Sequence, residues 1–318
     1  MNFNDIISNA VAQVSATLAP PRTCPRFSFP ISAENAAALL LQAYRAEVET
    51  RGYSYNPNED TSRRLAAVGR WLTDASLKPS LLLYGATPGT GKTTTARAVK
   101  RMAQALHGSL LDGISAADES LRKQAAERFS GWVMPWPEGL EKVTCWDDIK
   151  RRQAWKETHP HEAEILNQRE AEKADAIQAW KAPREAEIQE ARTQAAKLKA
   201  ILPEYVTAQG LADMIRAKRF EDYNRLTACP FLIIDDIGTE PVAVKDFGNE
   251  VLPFTELFLK RYDSRRPTII TSNLPLTAEV RREGDKEQSI RGIYGPRVLD
   301  RINEICEKLP YSGGSFRR

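Results

Sequence analysis

The chain has 318 residues, of which 42% are apolar and 27% charged, and its formal net charge is +3 at pH 7. This length suits one α/β domain with additions or two modest domains. The weak positive charge permits contact with nucleic acid through a local patch but does not by itself argue for it. No apolar run is long enough to span a membrane, and Met1–Ala10 lacks a signal-peptide pattern. The four cysteines have no paired spacing, which predicts free thiols, no zinc site and a cytoplasmic protein.

The predicted elements alternate between helices and short apolar strands. Residues 1–30 contain four prolines, which predict a loosely ordered lead-in, and Ser32 is the expected N-cap of a helix reaching about Thr50. Strands are predicted at Leu81–Tyr84, Tyr205–Thr207, Phe231–Ile234 and Thr268–Ile270, and helices at Leu65–Leu72, Ala96–Leu106, Leu211–Lys218, Phe247–Phe258 and Pro296–Leu309. This order predicts an α/β fold with a largely parallel sheet flanked by helices, after a small N-terminal helical region.

A glycine-rich loop lies between the first predicted strand and the helix after it. It contains Gly85, Ala86, Thr87, Pro88, Gly89, Thr90, Gly91, Lys92, Thr93 and Thr94. Small residues let consecutive backbone N–H groups converge on phosphate oxygens, and the helix N-terminus favours the same anion. Lys92 is predicted to bind the β and γ phosphates and Thr93 to ligate Mg²⁺, so ATP and Mg²⁺ are the expected ligands. Ala86 stands where the standard pattern has glycine, so the loop either tolerates alanine or bulges by one residue.

Two adjacent carboxylates follow the apolar run Phe231–Ile234. A P-loop needs an acidic residue at the end of a neighbouring strand, and two buried carboxylates are costly unless they bind something. Asp235 is expected to hold the magnesium ion, and Asp236 to orient or deprotonate the attacking water. Asn273 follows the next strand and either holds the same water or forms a turn.

Arg301 lies on the last predicted helix, four residues after Arg297, so the two side chains share one side of it. One interpretation is that the Arg301 guanidinium reaches the nucleotide of a neighbouring subunit and stabilises charge in the transition state. The alternative is a surface salt bridge to Asp300 or Glu304. The spacing alone does not decide between these two.

Four blocks of the sequence form an ordered set and read ATPGTGKT, FLIIDDIGTEPV, LFLKRYDSRRPTIITSNLP and YGPRVLDRINEI. Together they resemble the DnaC/IstB group of AAA+ ATPases, and more narrowly the DnaC-like ATP-binding proteins of Bacteroidetes and their mobile elements. The resemblance covers about residues 59–106 and 204–318. It implies a P-loop NTPase of AAA+ type that assembles into rings or spirals, with ATP bound between subunits.

The resemblance also assigns roles to single residues. It makes Asn273 an expected sensor residue and Arg301 an expected arginine finger, with Arg261 a further candidate for contact between subunits. The residues after Arg301 are too few for the helical lid of many AAA+ proteins, an absence that is usual in the DnaC-like group.

A long insertion, at about residues 108–203, departs from the family pattern. It holds five of the six tryptophans and a charged run over residues 147–199. This composition predicts exposed helices or a helical hairpin, broken at Pro160 and Pro183. The expected domains are therefore an N-terminal lead-in and helix at 1–58 and an ATPase domain at 59–318, interrupted by the insertion.

The insertion has two interpretations. It is either a solvated helical spacer in which Trp132, Trp136 and Trp146 form a small local core, or a working surface. A working surface would dock a partner or stack single-stranded bases on its aromatic rings. His159 and His161 have no partner at metal-binding spacing and are predicted to be exposed.

These features leave several biological roles open. The most specific expectation is a helicase-loader-like ATPase that forms a homo-oligomer, binds single-stranded DNA and works with a replicative helicase. The alternatives are a transposition helper on duplex DNA with a transposase, an ATP-gated interaction protein working through the insertion, and a small-molecule P-loop kinase.

Overall fold

The computed structural model describes residues 28–132, 134, 136–246, 248–278 and 288–314. The chain divides into two compact units. We call the residues up to Leu106 and from Leu198 onward the sheet unit, and His107–Lys197 the helical unit. Most of the predicted lead-in lies outside the described residues. Among the described helices, none has the length and apolar character needed to cross a membrane.

Seven strands and ten helices are described. The strands are β1 Ser80–Tyr84, β2 Glu204–Thr207, β3 Leu232–Ile237, β4 Val244–Asp246, β5 Asn249–Val251, β6 Thr268–Ser272 and β7 Cys306–Pro310. The helices are α1 Ala33–Glu49, α2 Glu59–Thr73, α3 Lys92–Arg128, α4 Trp146–Thr158, α5 Pro160–Ala200, α6 Ala208–Arg216, α7 Phe220–Ala228, α8 Pro253–Asp263, α9 Ile290–Tyr294 and α10 Pro296–Ile305.

The sheet unit is built on a parallel sheet of five strands in the order β2-β3-β6-β1-β7. Its central strands are apolar on both faces, and Leu82, Ile234 and Ile270 are fully buried. Strands with both faces covered are typical of parallel sheets with helices on each side. The predicted parallel α/β fold is thereby confirmed, and it is compatible with a P-loop NTPase fold.

The first two helices of the sheet unit begin at polar caps. Ser32 accepts a hydrogen bond from a backbone N–H of α1, as predicted, and Asn58 accepts two from α2. These side chains satisfy N–H groups that have no partner within the helix. A Cβ at Gly69 would lie 2.9 Å from the backbone nitrogen of Ala37, which shows that the two helices approach closely at this point.

Two predicted helices of the sheet unit have the wrong extent. The apolar spacing over Phe247–Phe258 predicts a helix that Pro253 either kinks or starts, and the helix begins at Pro253, because Val244–Asp246 and Asn249–Val251 pair as the antiparallel strands β4 and β5. Phe247 itself lies outside the described residues. The predicted helix from Pro296 to Leu309 ends at Ile305, because the following residues pair with β1 as strand β7.

The helical unit contains the later part of α3 together with α4 and α5. Pro160 begins α5, as predicted, but Pro183 lies inside it without ending it, so the predicted break there is wrong. Proline removes a single N–H donor, and the turns on either side keep their own hydrogen bonds. A thin core is formed by Leu121, Ala125, Ala163, Leu166, Ile188 and Ala195.

The tryptophans of the helical unit do not form the predicted three-residue core. Trp136 packs edge-on against Trp155, with ring centroids 5.9 Å apart, and Trp132 lies near Phe129. Trp146 is 68% exposed, so its predicted place in the core is wrong. Trp146 is the first residue of α4, and its side chain lies in solvent there.

Candidate functional site

The loop between β1 and α3 passes very close to other parts of the sheet unit. A Cβ at Gly85 would lie 2.1 Å from the carbonyl oxygen of Tyr311, and one at Gly91 would lie 2.4 Å from the hydroxyl of Tyr44. At Gly85 the clash is with backbone, and Gly91 has a φ of 97°, so both positions require glycine. Ala86 is exposed and is not among the few described non-glycine residues with positive φ. The loop thus tolerates alanine at this position.

Lys92 folds back along this loop and is only 5% exposed. Its ammonium donates hydrogen bonds to the carbonyls of Gly85 and Thr87, each at 3.0 Å, and to the hydroxyl of Thr90 at 3.2 Å. Burial lowers the pKa of Lys92, while the nearby Asp236 carboxylate acts in the opposite direction. Phosphate oxygens bound in the loop would compete for the same ammonium donors.

Asp235 is the centre of a hydroxyl network and is 4% exposed. Its Oδ1 accepts hydrogen bonds from Thr93 at 3.0 Å and from Thr271 at 2.6 Å. Its Oδ2 accepts one from the Tyr205 hydroxyl at 2.5 Å. A buried carboxylate is stable only when its oxygens are satisfied in this way.

The strand that carries Asp235 is not adjacent in the sheet to β1, the strand that leads into the loop. The sequence placed the acids on a strand neighbouring β1, and this is wrong, because β6 lies between β1 and β3. Thr93 on α3 nevertheless reaches Asp235. The hydroxyl and the carboxylate are the oxygen ligands that Mg²⁺ prefers, so the pair fits this ion.

Asp236 has an unusual backbone. Its φ is 61°, and the register of β3 against β6 shifts between Ile234 and Ile237. A positive φ is strained for a non-glycine residue, and such strain is typical of functional sites. The Asp236 N–H donates to the Thr271 hydroxyl at 2.8 Å, and the Asn273 amide donates to Asp236 Oδ1 at 2.7 Å. The structure thus brings Asp236 and Asn273 into direct contact.

A cleft of about 390 Å³ opens above the loop. One side is formed by residues 88–94 with Asp236 and Asn273, and the other by α1 and the turn after it. That second side includes Tyr44, Val48 and Tyr55, and the two tyrosine rings meet edge to face at 6.1 Å. Burial raises the pKa of Tyr44 to about 12, so its hydroxyl stays protonated. An anion-binding loop beside an aromatic surface suits a nucleotide.

Sequence reasoning missed several members of this site. Thr271 could have been found, since it lies in β6 two residues before Asn273, and side chains two residues apart along an extended chain point the same way. Tyr44 and Tyr55 gave only a weak signal, two aromatic residues in and after the first helix. Tyr205 gave none, because its partner Asp235 is 30 residues away along the chain.

Arg301 does not line the cleft of its own chain. Its guanidinium donates to the Tyr262 hydroxyl at 2.9 Å, lies 4.6 Å from that ring's centroid and pairs with Glu304 at 3.3 Å. The surface salt bridge that the sequence allowed is therefore present. An action of Arg301 on a neighbouring subunit stays a prediction.

Arg261 is a structural residue, and its predicted contact between subunits is wrong. The side chain is 1% exposed. Its guanidinium donates to the backbone carbonyls of Cys229 at 2.8 Å and Pro267 at 2.7 Å, and to the Thr268 hydroxyl at 2.9 Å. A guanidinium enclosed by such acceptors joins α8 to the ends of two other elements and cannot face a partner.

The parallel sheet and the loop between β1 and α3 are compatible with the P-loop NTPase class. No protein-family model matches the chain, and no curated protein is similar to it at a significant level. Among solved structures, the chain is similar to one described as the crystal structure of the DnaI, with 18% sequence identity and a TM-score of 0.27. The match covers 41% of this chain and 65% of the DnaI chain. A TM-score this low does not support an argument about function.

Proposed function

We propose that this chain is a P-loop ATPase that works as a nucleotide-dependent switch on DNA. The observation that carries the ATPase assignment is the 3.0 Å hydrogen bond between Thr93 and Asp235. It joins the residue after the loop lysine to the first acid of β3, across an intervening strand. A glycine turn without a function is not expected to lie beside such a buried pair of a carboxylate and a hydroxyl.

The phosphates of ATP would lie along residues 86–94, bound by backbone N–H groups and by Lys92. Thr93 and Asp235 would hold Mg²⁺, which neutralises negative charge on the β and γ phosphates when it is bound. Asp236, held by Asn273, orients the attacking water or accepts its proton. The adenine base of the nucleotide would lie against the aromatic side of the cleft at Tyr44 and Tyr55.

Completion of the site by a second copy of the chain belongs to the same proposal. Arg301 does not line its own cleft and has a half-buried guanidinium on α10. A homo-oligomer would bring this arginine to the nucleotide of a neighbour, as the resemblance to AAA+ ATPases implies. Arg301→Ala is then expected to leave ATP binding within about twofold of the wild type and to slow hydrolysis by roughly 10²-fold or more. An unchanged rate would restrict Arg301 to its surface network.

The DNA-directed role is supported by the four sequence blocks that resemble the DnaC/IstB group. The form we favour is a DnaC-like loader that binds single-stranded DNA and works with a replicative helicase. The transposition helper on duplex DNA is the alternative within the same resemblance. A protein-interaction role is favoured by one separate observation: Val143, Trp146 and Ile149 are exposed apolar residues of the helical unit.

The test is binding of the purified protein to fluorescent single-stranded and duplex DNA, each with ATP, a non-hydrolysable analogue and ADP. Tighter binding of single strands with ATP is the result we expect, and a preference for duplex would favour the transposition helper. Measurements at low salt maximise phosphate contacts. If nucleotide binds but DNA does not bind in any state, the loader role is overturned and the interaction role is favoured.

A further inference from the structure

The Tyr205 hydroxyl forms the 2.5 Å hydrogen bond to Asp235 Oδ2. Tyr205 lies on β2, which pairs with β3 so that Thr207 is opposite Asp235. Side chains two residues apart on a strand share one face of the sheet. The Tyr205 ring therefore lies on the same face of the sheet as Asp235 and reaches it diagonally across the β2–β3 pair. Tyr205 belongs neither to the loop between β1 and α3 nor to β3.

A second side chain fixes the direction of this hydrogen bond. Arg97 Nε donates to the Tyr205 hydroxyl oxygen at 3.2 Å, and its guanidinium carbon lies 5.3 Å from the ring centroid. A hydroxyl has one proton, so a Tyr205 oxygen that accepts from Arg97 is left to donate to Asp235. Arg97 is four residues after Thr93, one turn further along α3. The chain of contacts thus runs from α3 through Arg97, Tyr205 and Asp235 back to Thr93 on α3.

We propose that Tyr205, held by Arg97, is a positioning residue that fixes the Asp235 carboxylate for Mg²⁺. The inference rests on the proposed ATPase function. Thr93 and Thr271 both contact Oδ1, whereas the Tyr205 bond is made to Oδ2, so the two sides together set the rotation of the carboxylate. Carboxylate orientation matters because Mg²⁺ demands near-ideal octahedral geometry.

The experiment measures binding of a fluorescent ADP analogue to the full chain by anisotropy, with Mg²⁺ or with EDTA. The ratio of the two dissociation constants reports how much Mg²⁺ strengthens nucleotide binding, without any turnover. In Tyr205→Phe we expect this strengthening to fall by roughly tenfold, since a hydrogen bond to a charged group is lost. The dissociation constant in EDTA is expected to stay the same, because Tyr205 does not line the cleft.

The matched control is Tyr223→Phe. Tyr223 is a buried tyrosine, whereas Tyr205 is half-buried, and the Tyr223 hydroxyl donates to the carbonyl of Pro253 at 2.7 Å. This variant loses a hydroxyl of the same kind and is expected to keep the wild-type response to Mg²⁺. An equal loss in both variants would show a general effect of destabilisation and overturn the positioning role.

Arg97→Met tests the contribution of the contact between Arg97 and Tyr205. Because Arg97 acts through Tyr205, we expect it to reduce the effect of Mg²⁺ in the same direction and to add little in the double variant with Tyr205→Phe. Fully additive effects would overturn the role of Arg97. A wild-type chain that binds no nucleotide would overturn the proposed function itself, whereas normal wild-type binding with an unchanged ratio in Tyr205→Phe would overturn this inference alone.

Discussion

The sheet unit and the helical unit differ in how deeply they bury their charged side chains. In the sheet unit, Lys92, Asp235 and Arg261 are at most 5% exposed, and each contacts at least three partners. In the helical unit most of the described ion pairs lie at the surface, although Asp148 is buried and accepts hydrogen bonds from Thr144 and Cys145. The ion pair of Arg192 with Asp118 leaves their side chains 50% and 30% exposed.

This difference shows where chemistry can be fixed in position. A buried charge is tolerated only when its hydrogen bonds are complete, so its geometry is set by the surrounding core. Exposed ion pairs contribute about 0 to 1 kcal/mol each and hold no side chain in one place. Substitutions of the buried charged residues around the loop of the sheet unit should therefore change nucleotide chemistry, and substitutions in the helical unit should not.

The largest effect is expected from Lys92→Ala, which removes the buried cation of the loop. Nucleotide turnover should fall by roughly 10²- to 10³-fold, because a preorganised charge on the phosphates is lost. The check is a steady-state phosphate-release assay. Lys123→Ala is the control, since Lys123 is an exposed lysine of the same helix within the helical unit. Undiminished turnover in Lys92→Ala would contradict the P-loop assignment.

Asp236→Asn should have the next largest effect. Asparagine tolerates the positive φ of this position, so the backbone is kept while the carboxylate is lost. We expect turnover to fall by roughly 10²-fold, with ATP binding changed by no more than about twofold. Binding by calorimetry and single-turnover hydrolysis separate the two quantities. A loss of binding equal to the loss of turnover would show that Asp236 serves the nucleotide and not the water.

Removal of the helical unit is expected to have a small effect on turnover. We predict that a flexible Gly-Ser linker in place of His107–Lys197 changes the rate by about threefold or less, because compact units commonly fold alone. Leu166→Ala in the full chain is a second variant, which perturbs the helical unit without removing it. It empties a buried position of the helical unit and should cost about 2–4 kcal/mol in that unit's unfolding. Insoluble protein after the deletion would show that the units depend on each other.

Thiol labelling should leave turnover unchanged while it distinguishes the cysteines. Of the cysteines that the structure describes, Cys145, Cys229 and Cys306 are free thiols, and among these three Cys145 alone is exposed; Cys24 lies outside the described residues. Burial raises the pKa of Cys306 to about 12, so almost none of it is thiolate at pH 8. Peptide mapping after a short maleimide pulse should find Cys145 modified and Cys306 intact. Rapid modification of Cys306 in the folded protein would disagree with its burial.

Local signals in the sequence were enough for the order of strand, loop and helix at residues 81–106. The period of apolar residues and the glycine loop are both properties of adjacent residues. Long-range contacts were not readable in this way. Ile305 and Leu309 keep helical spacing, yet the chain after Ile305 is a strand because it pairs with β1. The burial of Arg261 likewise depends on carbonyls more than 30 residues away in sequence.

The same limit explains how the candidate site was predicted. Lys92, Thr93 and the two acids were identified because each follows a recognisable local pattern. Of the side chains that contact Asp235, Tyr205 was missed because its contact comes from the sheet order, whereas Thr271 had a local signal, its place two residues before Asn273. Sequence patterns therefore indicated the candidate reactive groups, and the fold showed which side chains contact them.

The backbone of Asp236 has a consequence for engineering this protein. Its left-handed conformation costs a non-glycine residue roughly 1–2 kcal/mol, and glycine adopts it without that penalty. Asp236→Gly would also lose the carboxylate that Asn273 contacts. Under the proposed function, a directed-evolution campaign that selects survivors of heating alone would therefore admit variants that have lost this carboxylate and with it hydrolysis. Thermostable variants of this chain should be selected with bound or hydrolysed nucleotide as a second criterion.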